Sequence, residues 1–257
     1  MKDIQDIIKK YNLQGLNGTF AADRLERDHR TLSQRESSHN KIVPNLEEAV
    51  KLCGLKNGQT ISFHHHFRGG DYIVNMVLDK LAEMGFKDLV LAASSLTDCH
   101  TPLVKHIQNG VISRIETSGL RGKLADEISR GLMDIPVVFR SHGGRAYAIQ
   151  SGELAIDVAF LGAPSCDPFG NANGYSREND EGVKCGSMGY AKCDAQYAKK
   201  TVIITNNIVH FPNVPFGIPE SDVDYIVKVD AIGDPAGIMS GATRFTTNPK
   251  ELVMAES

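Results

Sequence analysis

The stretch that decides the fold is QTISFHHHFRGGDYIVNMVLDKLAEMG, residues 59–85. Its first part, 59–66, is a short β-rich run and predicts a strand. Residues 71–84 carry apolar side chains at helical spacing and predict an amphipathic helix. Asp71 is placed to cap the start of this helix, and Gly85 to end it. The stretch therefore predicts a strand–turn–helix unit of an α/β protein.

The same alternation of short apolar runs and amphipathic segments continues along the chain. It favours a mainly parallel sheet that is covered by helices on both faces. We predict an open sheet flanked by helices, with a TIM barrel as the alternative. The predicted strands are 59–66, 88–93, 111–116, 136–140, 157–162, 201–205 and 225–229, and the predicted helices are 46–53, 71–84, 99–108, 121–132 and 193–199.

The N-terminal 45 residues differ in composition from the rest of the chain. Residues 1–14 place apolar side chains on one face of a helix, and residues 23–41 are dense in charges of both signs. We predict an N-terminal helix and polar arm over residues 1–45, followed by one α/β domain over residues 46–257.

The overall composition excludes several classes of protein. A net charge of -3 over 257 residues gives no basic surface for nucleic acid. No apolar run approaches membrane-spanning length, and the N-terminus is too charged for a signal peptide. Five cysteines, an odd number without a CxxC pair, fit reduced thiols. We therefore expect a cytoplasmic protein that binds neither nucleic acid nor membranes.

Three consecutive histidines, residues 64–66, raise the question of a metal site. On a strand, His64 and His66 would share one face while His65 would point away. Two histidines still need a third ligand, and no HExxH or paired-cysteine motif supplies it. We therefore expect no metal, and imidazoles that hydrogen-bond to the backbone or to a substrate.

Three glycine-bearing turns each carry an arginine. They are FRGGD at 67–71, SGLRGK at 118–123 and SHGGR at 141–145, with Arg68, Arg121 and Arg145 as their arginines. Turns that follow parallel strands gather at one end of the sheet, and arginine binds carboxylates bidentately. Each turn alone has a purely structural explanation. Together they indicate a pocket for a carboxylate-rich substrate.

The pair Gly69–Gly70 adds a second chemistry to the first of these turns. Without Cβ atoms these residues let a ligand approach the main chain, and their N–H groups could stabilise a developing oxyanion. A phosphate cradle is the alternative. Asp71 weakens it, because it places a negative charge at the same helix start.

The loop CDPFGNANG, residues 166–174, is dense in turn-forming residues. Its Asp167, Asn171 and Asn173 either tie the loop down by bonds to the backbone or contact a ligand. Glu178, a few residues on, could act as a carboxylate nucleophile, but its polar surroundings favour a solvated loop.

Read in order, a series of blocks resembles the citrate lyase alpha subunit family. The blocks are TISFHHHFRGGDYIVNMV, LAEMGFKDL, SGLRGKLADEISRGL, SHGGR, QSGELAIDVAFLG, CDPFGNANG, GSMGYAKCDA and GATRFTTNPKEL. The similarity runs nearly unbroken from about Leu46 to Leu252. The family's alpha subunit is about twice as long and has two similar halves with the active site between them, so this chain resembles the first half.

The resemblance implies a CoA-transferase-like fold and a citrate CoA-transferase activity, in which an acetyl thioester and citrate give a citryl thioester and acetate. The thioester would belong to acetyl-CoA or to the acyl-carrier gamma subunit, and the beta subunit would cleave the citryl product. CoA, or the CoA-derived prosthetic group of the carrier, is then a substrate, and this chain itself holds no cofactor. The implied partners also include a second-half polypeptide, and no covalent glutamyl-enzyme is implied.

Within that activity the predicted roles fall into three groups. Gly69 and Gly70 stabilise the oxyanion, the substrate-binding residues are Arg68, Arg121, Arg145, His64, His66 and Asn171, and the CoA-derived group lies against Gly119, Gly143 and Gly144. The alternative function is a catalytically silent module of the same fold that binds CoA esters or organic acids. A metal hydrolase built on His64 and His66 is a third hypothesis.

Overall fold

The structure is a computed structural model that describes residues 39–175, 184–238 and 247–256. The predicted helix over 1–14, most of the polar arm and Glu178 lie outside the described residues. The main sheet already includes Ile42, four residues before the predicted domain boundary, since Ile42 pairs with Ile226.

Eight parallel strands form the main sheet, in the order β1-β10-β9-β6-β2-β3-β4-β5. These strands are β1 (Ile42–Val43), β2 (Thr60–Phe63), β3 (Leu89–Ala93), β4 (Ile112–Thr117), β5 (Val138–Phe139), β6 (Val158–Gly162), β9 (Lys200–Thr205) and β10 (Tyr225–Lys228). A short antiparallel ribbon pairs β7 (Ser165–Cys166) with β8 (Ala172–Asn173). The open order confirms the predicted open sheet, and the barrel alternative is wrong.

The helices largely follow the predicted pattern. They are α1 (Leu46–Cys53), α2 (Ile73–Glu83), α3 (Leu103–Gln108), α4 (Gly122–Ser129), α5 (His142–Ser151), α6 (Ala191–Tyr197), α7 (Pro235–Ile238) and α8 (Pro249–Glu256). In the part of the chain that the structure describes, no helix is both long and apolar enough to cross a membrane.

Two helix predictions need correction. The single helix over 99–108 is a 3-10 turn, Asp98–His100, followed by α3, because Pro102 has no N–H to continue a helix across this point. The segment SHGGR is not only a turn. It opens α5, where the Ser141 hydroxyl caps the helix by accepting the Gly144 N–H at 3.0 Å.

Residues 59–85, the strand–turn–helix unit, fold as predicted except at the histidines. In α2 the residues Ile73, Val74, Val77, Leu78 and Leu81 are buried, as the helical spacing predicts. The Asp71 carboxylate accepts the N–H groups of Ile73 and Val74, and Gly85 ends the helix with a φ of 84°. Strand β2, however, ends at Phe63, and 3-10 turns cover His65–Gly70. The predicted alternation of the three histidines across a strand is therefore wrong.

Strand β2 also shows that both faces of the sheet are covered. Successive residues of a strand point to opposite faces, and Ile61, Ser62 and Phe63 are all buried. On one face the Phe63 ring stacks on Phe160 of β6 with centroids 5.9 Å apart. Burying each such side chain contributes about 1.5–3 kcal/mol. The sheet is thus a rigid platform, and its carboxyl edge is where the loops of interest lie.

Candidate functional site at the carboxyl edge of the sheet

The loops after β2, β3 and β4 lie side by side, because these three strands are neighbours in the sheet. The Leu96 N–H donates to the Gly119 carbonyl at 2.8 Å, and the Arg121 N–H donates to the Leu96 carbonyl at 3.1 Å. The Cys99 thiol lies 3.7 Å from the Arg68 carbonyl oxygen. The segment that follows β3 therefore joins the Arg68 turn to the Arg121 turn, and the predicted gathering of these two turns is confirmed.

The Arg68 turn is strained and firmly held. Arg68 has a φ of 53° and a ψ of -132°, a backbone region that favours glycine and costs other residues about 1–3 kcal/mol. On its C-terminal side, the buried Asp71 carboxylate accepts from His100 Nε2 at 3.1 Å. The turn presents an exposed Arg68 next to this fixed anchor. A strained residue that the surroundings hold in place is typical of binding sites.

The two glycines of this turn have different environments. A Cβ atom on Gly70 would lie 2.4 Å from the Asp234 carbonyl oxygen and 2.7 Å from the Ile238 nitrogen, so Gly70 is required for close packing against α7. A Cβ atom on Gly69 would meet nothing within 4 Å. Gly69 therefore faces open space, and the oxyanion role of both glycines stays a prediction.

A cluster of imidazoles lies directly before the turn. It consists of His64, His65, His66 and His142, and we call it the histidine cluster. The His64 ring lies 5.2 Å from His65 and 5.5 Å from His66 between centroids, and the His65 ring meets His142 edge-on at 5.2 Å. The 3-10 turns bring His65 back beside its neighbours, and sequence reasoning missed this contact because it assumed a strand.

Two of these rings have hydrogen-bond partners that lie far from them in the chain. His66 Nε2 donates to the Gly162 carbonyl at 2.7 Å, which leaves His66 Nδ1 as a buried acceptor without a partner among the described residues. His65 Nδ1 lies 2.6 Å from the Ser94 hydroxyl oxygen, which also accepts the His65 backbone N–H at 2.8 Å. Ser94 was not predicted, and nothing in its local sequence marks it.

The surroundings keep His64, His65 and His66 uncharged. Burial lowers the pKa of His64 well below its usual value, and the nearby imidazoles and Arg145 act in the same direction. Burial, with help from His142 and His66, lowers the pKa of His65 to about 4. Burial also lowers the pKa of His66, against the opposing effect of its bond to Gly162. Neutral imidazoles can donate and accept hydrogen bonds at this edge without carrying charge.

Arg145 has a structural role instead of the predicted substrate contact. Its buried guanidinium donates to both carboxylate oxygens of Asp194, at 2.8 and 3.2 Å, and also to the Ser62 hydroxyl and the Ala92 carbonyl. Burial raises the pKa of Asp194, and Arg145 opposes that shift. The guanidinium is thus already bidentate to a carboxylate of the protein, and it holds α5 against α6.

Asn171 also belongs to the structure of its loop. Its amide donates to the buried Asp167 carboxylate at 2.9 Å, and its carbonyl oxygen accepts the Glu220 N–H at 3.0 Å. Because both ends of the 4%-exposed amide are engaged inside the loop, the loop-tying alternative holds and the substrate contact is not supported.

The glycines predicted to face a CoA-derived group are spread along the same edge. Gly119 lies in the turn after β4, whereas Gly143 and Gly144 lie in the first turn of α5. Gly143 is exposed and has open space at its Cβ position, while Gly144 donates to Ser141. Their contact with such a group stays a prediction.

Among the described residues, the histidine cluster is not part of a group of metal ligands. Over residues 39–175, 184–238 and 247–256, no three histidine, cysteine, aspartate or glutamate side chains are arranged to hold a metal ion. His64 and His66 stack their rings, and His66 Nε2 is committed to a carbonyl oxygen.

The fold is that of the CoA-transferase class. The glutaconate coenzyme A-transferase of Acidaminococcus fermentans superimposes with a TM-score of 0.54 at 12% identity, over 73% of this chain and 75% of that chain. A family model, described as citrate lyase, alpha subunit (CitF), matches residues 39–257. The chain belongs to the citrate lyase alpha subunit family.

Individual relatives agree with this assignment. The citrate lyase alpha chain of Haemophilus influenzae is 57% identical over 221 residues, which cover 86% of this chain and 43% of that protein. A solved structure described as the alpha subunit of citrate lyase from Streptococcus mutans, in complex with citrate, is 57% identical with a TM-score of 0.76. It is covered over 42% of its length, against 85% of this chain. The chain thus spans less than half the length of these two citrate lyase relatives.

Proposed function

We propose that this chain supplies one half of a citrate CoA-transferase site. The substrates of the reaction are an acetyl thioester and citrate, and the products are a citryl thioester and acetate. The observation that carries the proposal is the relative at 57% identity whose structure is described as a complex with citrate. Citrate is a carboxylate-rich ligand, which suits the exposed arginines at the carboxyl edge of this sheet.

We assign two arginines at this edge to citrate. Arg68 and Arg121 are both exposed, and they sit on turns that the segment after β3 joins. A guanidinium binds a carboxylate through two parallel hydrogen bonds, which orient it as well as attract it. Arg145 is excluded from this role because Asp194 already occupies it.

The proposed chemistry needs no residue of this chain as a covalent nucleophile. A citrate carboxylate oxygen attacks the acetyl thioester carbonyl, and the thiolate leaves as a mixed anhydride forms. The thiolate then attacks the citryl carbonyl of the anhydride, and acetate leaves. Both steps pass through an oxyanion. Positioning of the two substrates and hydrogen-bond donors near the Arg68 turn therefore supply much of the rate enhancement.

The CoA-derived group enters this reaction as a substrate. It comes either as acetyl-CoA or as the prosthetic group of an acyl-carrier gamma subunit, and a beta subunit cleaves the citryl thioester afterwards. The open space at Gly69 and Gly143 would let such a group approach the main chain. A second-half polypeptide would complete the site.

The test is a transfer assay with acetyl-CoA and citrate on residues 1–257, with and without a polypeptide covering the second half of a relative. We expect citryl-CoA and acetate to form when both halves are present. Absence of citryl-CoA formation in both conditions would contradict the proposal. Citrate binding without transfer would favour the alternative, a catalytically silent binding module.

Two arginines at opposite ends of α4 provide a matched pair of variants for this assay. Arg121→Ala removes a proposed citrate contact, and we expect kcat/KM for citrate to fall about 10- to 100-fold. Arg130→Ala removes an exposed arginine that pairs with Glu127, and we expect no change. Equal activity of the two variants would contradict the role of Arg121.

A further inference from the structure

We propose that His65 is a neutral hydrogen-bond donor to an anionic oxygen of the substrate, and that Ser94 is the positioning residue that fixes its tautomer. This inference rests on the proposed function for the identity of the substrate. It adds a residue that the sequence predicted to point away from the site, and it assigns a state to each ring nitrogen.

The tautomer follows from the inventory of donors and acceptors around Ser94. Its hydroxyl oxygen accepts the His65 backbone N–H at 2.8 Å. Its own proton needs an acceptor, and in the described part of the chain the acceptor within reach is His65 Nδ1 at 2.6 Å. His65 Nδ1 therefore carries a lone pair, and the ring proton is on Nε2.

The position of Ser94 makes this arrangement rigid. Ser94 follows the last residue of β3 and is 2% exposed, and its own N–H donates to the Phe63 carbonyl at 3.1 Å. The backbone of Ser94 is thus anchored to the ends of two adjacent strands. The Ser94 hydroxyl accepts from the His65 backbone and donates to the His65 ring, so it orients both.

The His65 Nε2–H is left for a ligand. No described residue accepts a hydrogen bond from Nε2, and Nε2 is not one of the buried polar atoms that lack a partner, so it is accessible. The ring is half-buried, with His64 on one side and the edge contact of His142 on another. An accessible N–H on a ring with one orientation is a preorganised donor of the kind that stabilises a carboxylate or an oxyanion.

Neutrality suits this role. Burial and the nearby positive groups lower the pKa of His65 to about 4, so the ring stays uncharged at neutral pH. A neutral imidazole donates its hydrogen bond without transferring the proton to a weakly basic carboxylate. Loss of the Ser94 hydroxyl would leave the ring free to adopt the other tautomer, whose unprotonated Nε2 would repel an anionic oxygen.

The first test reads the tautomer directly on this chain. In protein with 15N-labelled histidine at pH 7, we expect two-bond proton–nitrogen correlations to show His65 with a protonated Nε2, the signal being assigned by its loss in His65→Gln. Ser94→Ala should give a mixture of tautomers, and Ser95→Ala, the adjacent serine, should not. A protonated Nδ1 or an imidazolium in the unmodified chain would overturn the proposal.

The second test uses citrate as the probe. Adding citrate to the labelled chain should shift the His65 Nε2 resonance, and absence of a shift would overturn the substrate-facing role. A shift without any acyl transfer in the two-half assay would instead count against the proposed function alone. The two failures are therefore distinguishable.

The third test compares two amides. The Gln side chain places an N–H near the position of Nε2, whereas the Asn side chain reaches only the position of Nδ1. We expect His65→Asn to lower kcat/KM about 100-fold and His65→Gln to stay within about tenfold of the parent. A higher KM would indicate that the acceptor is a substrate carboxylate. A lower kcat would indicate that the acceptor is the oxyanion. Equal activities of the two variants would overturn the donor role.

Discussion

Two loops that follow strands of the same sheet differ in how completely their buried polar groups are hydrogen-bonded. In the loop after β6, the buried Asp167 carboxylate accepts the N–H groups of Phe169, Gly170, Asn171 and Asn213, together with the Asn171 amide. In the segment after β2, buried ring nitrogens of His64 and His66 have no partner among the described residues.

Backbone conformation separates the two loops as well. The β6 loop uses a glycine, Gly170, at its position of positive φ, whereas the β2 turn places Arg68 there at a φ of 53°. The first loop engages its buried carboxylate fully and has a glycine at positive φ. The second leaves two buried ring nitrogens without a partner among the described residues and has a non-glycine residue at positive φ. The two unpartnered ring nitrogens and the strain at Arg68 support the proposal that the β2 turn, residues 64–70, meets a ligand.

The largest expected effect tests the structural role of the β6 loop. Asp167→Ala removes one acceptor from several buried donors, and each unsatisfied buried donor costs about 1–3 kcal/mol. We expect the free energy of unfolding to fall by about 3–5 kcal/mol in urea denaturation. The exposed Asp126→Ala should change it by less than about 0.5 kcal/mol. If Asp167→Ala lowered the free energy of unfolding by less than about 1 kcal/mol, the structural role assigned to the β6 loop would be contradicted.

The second effect separates packing from function inside the β2 turn. Gly70→Ala places a methyl group against the backbone of residues 234–238, and we expect a loss of about 2–3 kcal/mol in stability. Gly69→Ala meets open space and should keep the stability within about 1 kcal/mol while lowering acyl transfer. Equal melting temperatures of the two variants would contradict the packing assigned to Gly70.

The third effect is the pH dependence of stability. The pKa of His65 is lower in the folded state than in the unfolded chain, so unfolding takes up a proton below pH 6.5. Its contribution to stability is fully present above pH 6.5 and is lost as the pH falls towards 4, by about 1–2 kcal/mol after discounting for solvent screening. Urea denaturation at several pH values should show this decline, and His65→Gln should make it smaller, leaving the part that His64 and His66 contribute. An unchanged pH profile would argue against a neutral, desolvated ring.

The smallest expected effect concerns the strain at Arg68. Arg68→Gly relieves an unfavourable φ but increases the entropy of the unfolded chain, so we expect a net gain in stability of about 1 kcal/mol or less. Citrate binding, measured by calorimetry, should weaken at the same time. Arg68→Ala, which keeps the strain and loses the guanidinium, is the control and should weaken binding without a gain in stability.

Much of the fold was predictable from local pattern. All seven predicted strands occur within a few residues of their predicted ranges, because buried parallel strands read as short apolar runs. The helix α1 has its predicted bounds, with Asn45 as its N-cap and Gly54 in the left-handed conformation at its end. The prediction missed the strands β1, β7 and β8, which have two residues each, and the helices α5, α7 and α8. Two residues are too few for a pattern, and α5 begins with glycines.

The candidate site was less predictable, and Arg145 shows why. An arginine in a glycine-rich segment looks the same in sequence whether it meets a ligand or a buried carboxylate. Its partner Asp194 lies 49 residues away, on α6. The same holds for His65, whose orientation depends on Ser94, 29 residues along the chain.

The sequence by itself determined the α/β class, the open parallel sheet, the family and the position of the β2 turn, because these depend on local periodicity and on contiguous motifs. The tertiary structure alone decided which arginines remain exposed, which glycine is required for packing and which histidine nitrogens have hydrogen-bond partners. Those properties depend on contacts between residues far apart in the chain. Burial and hydrogen bonding depend on which residues are close in space, and the order of residues along the chain does not record that proximity.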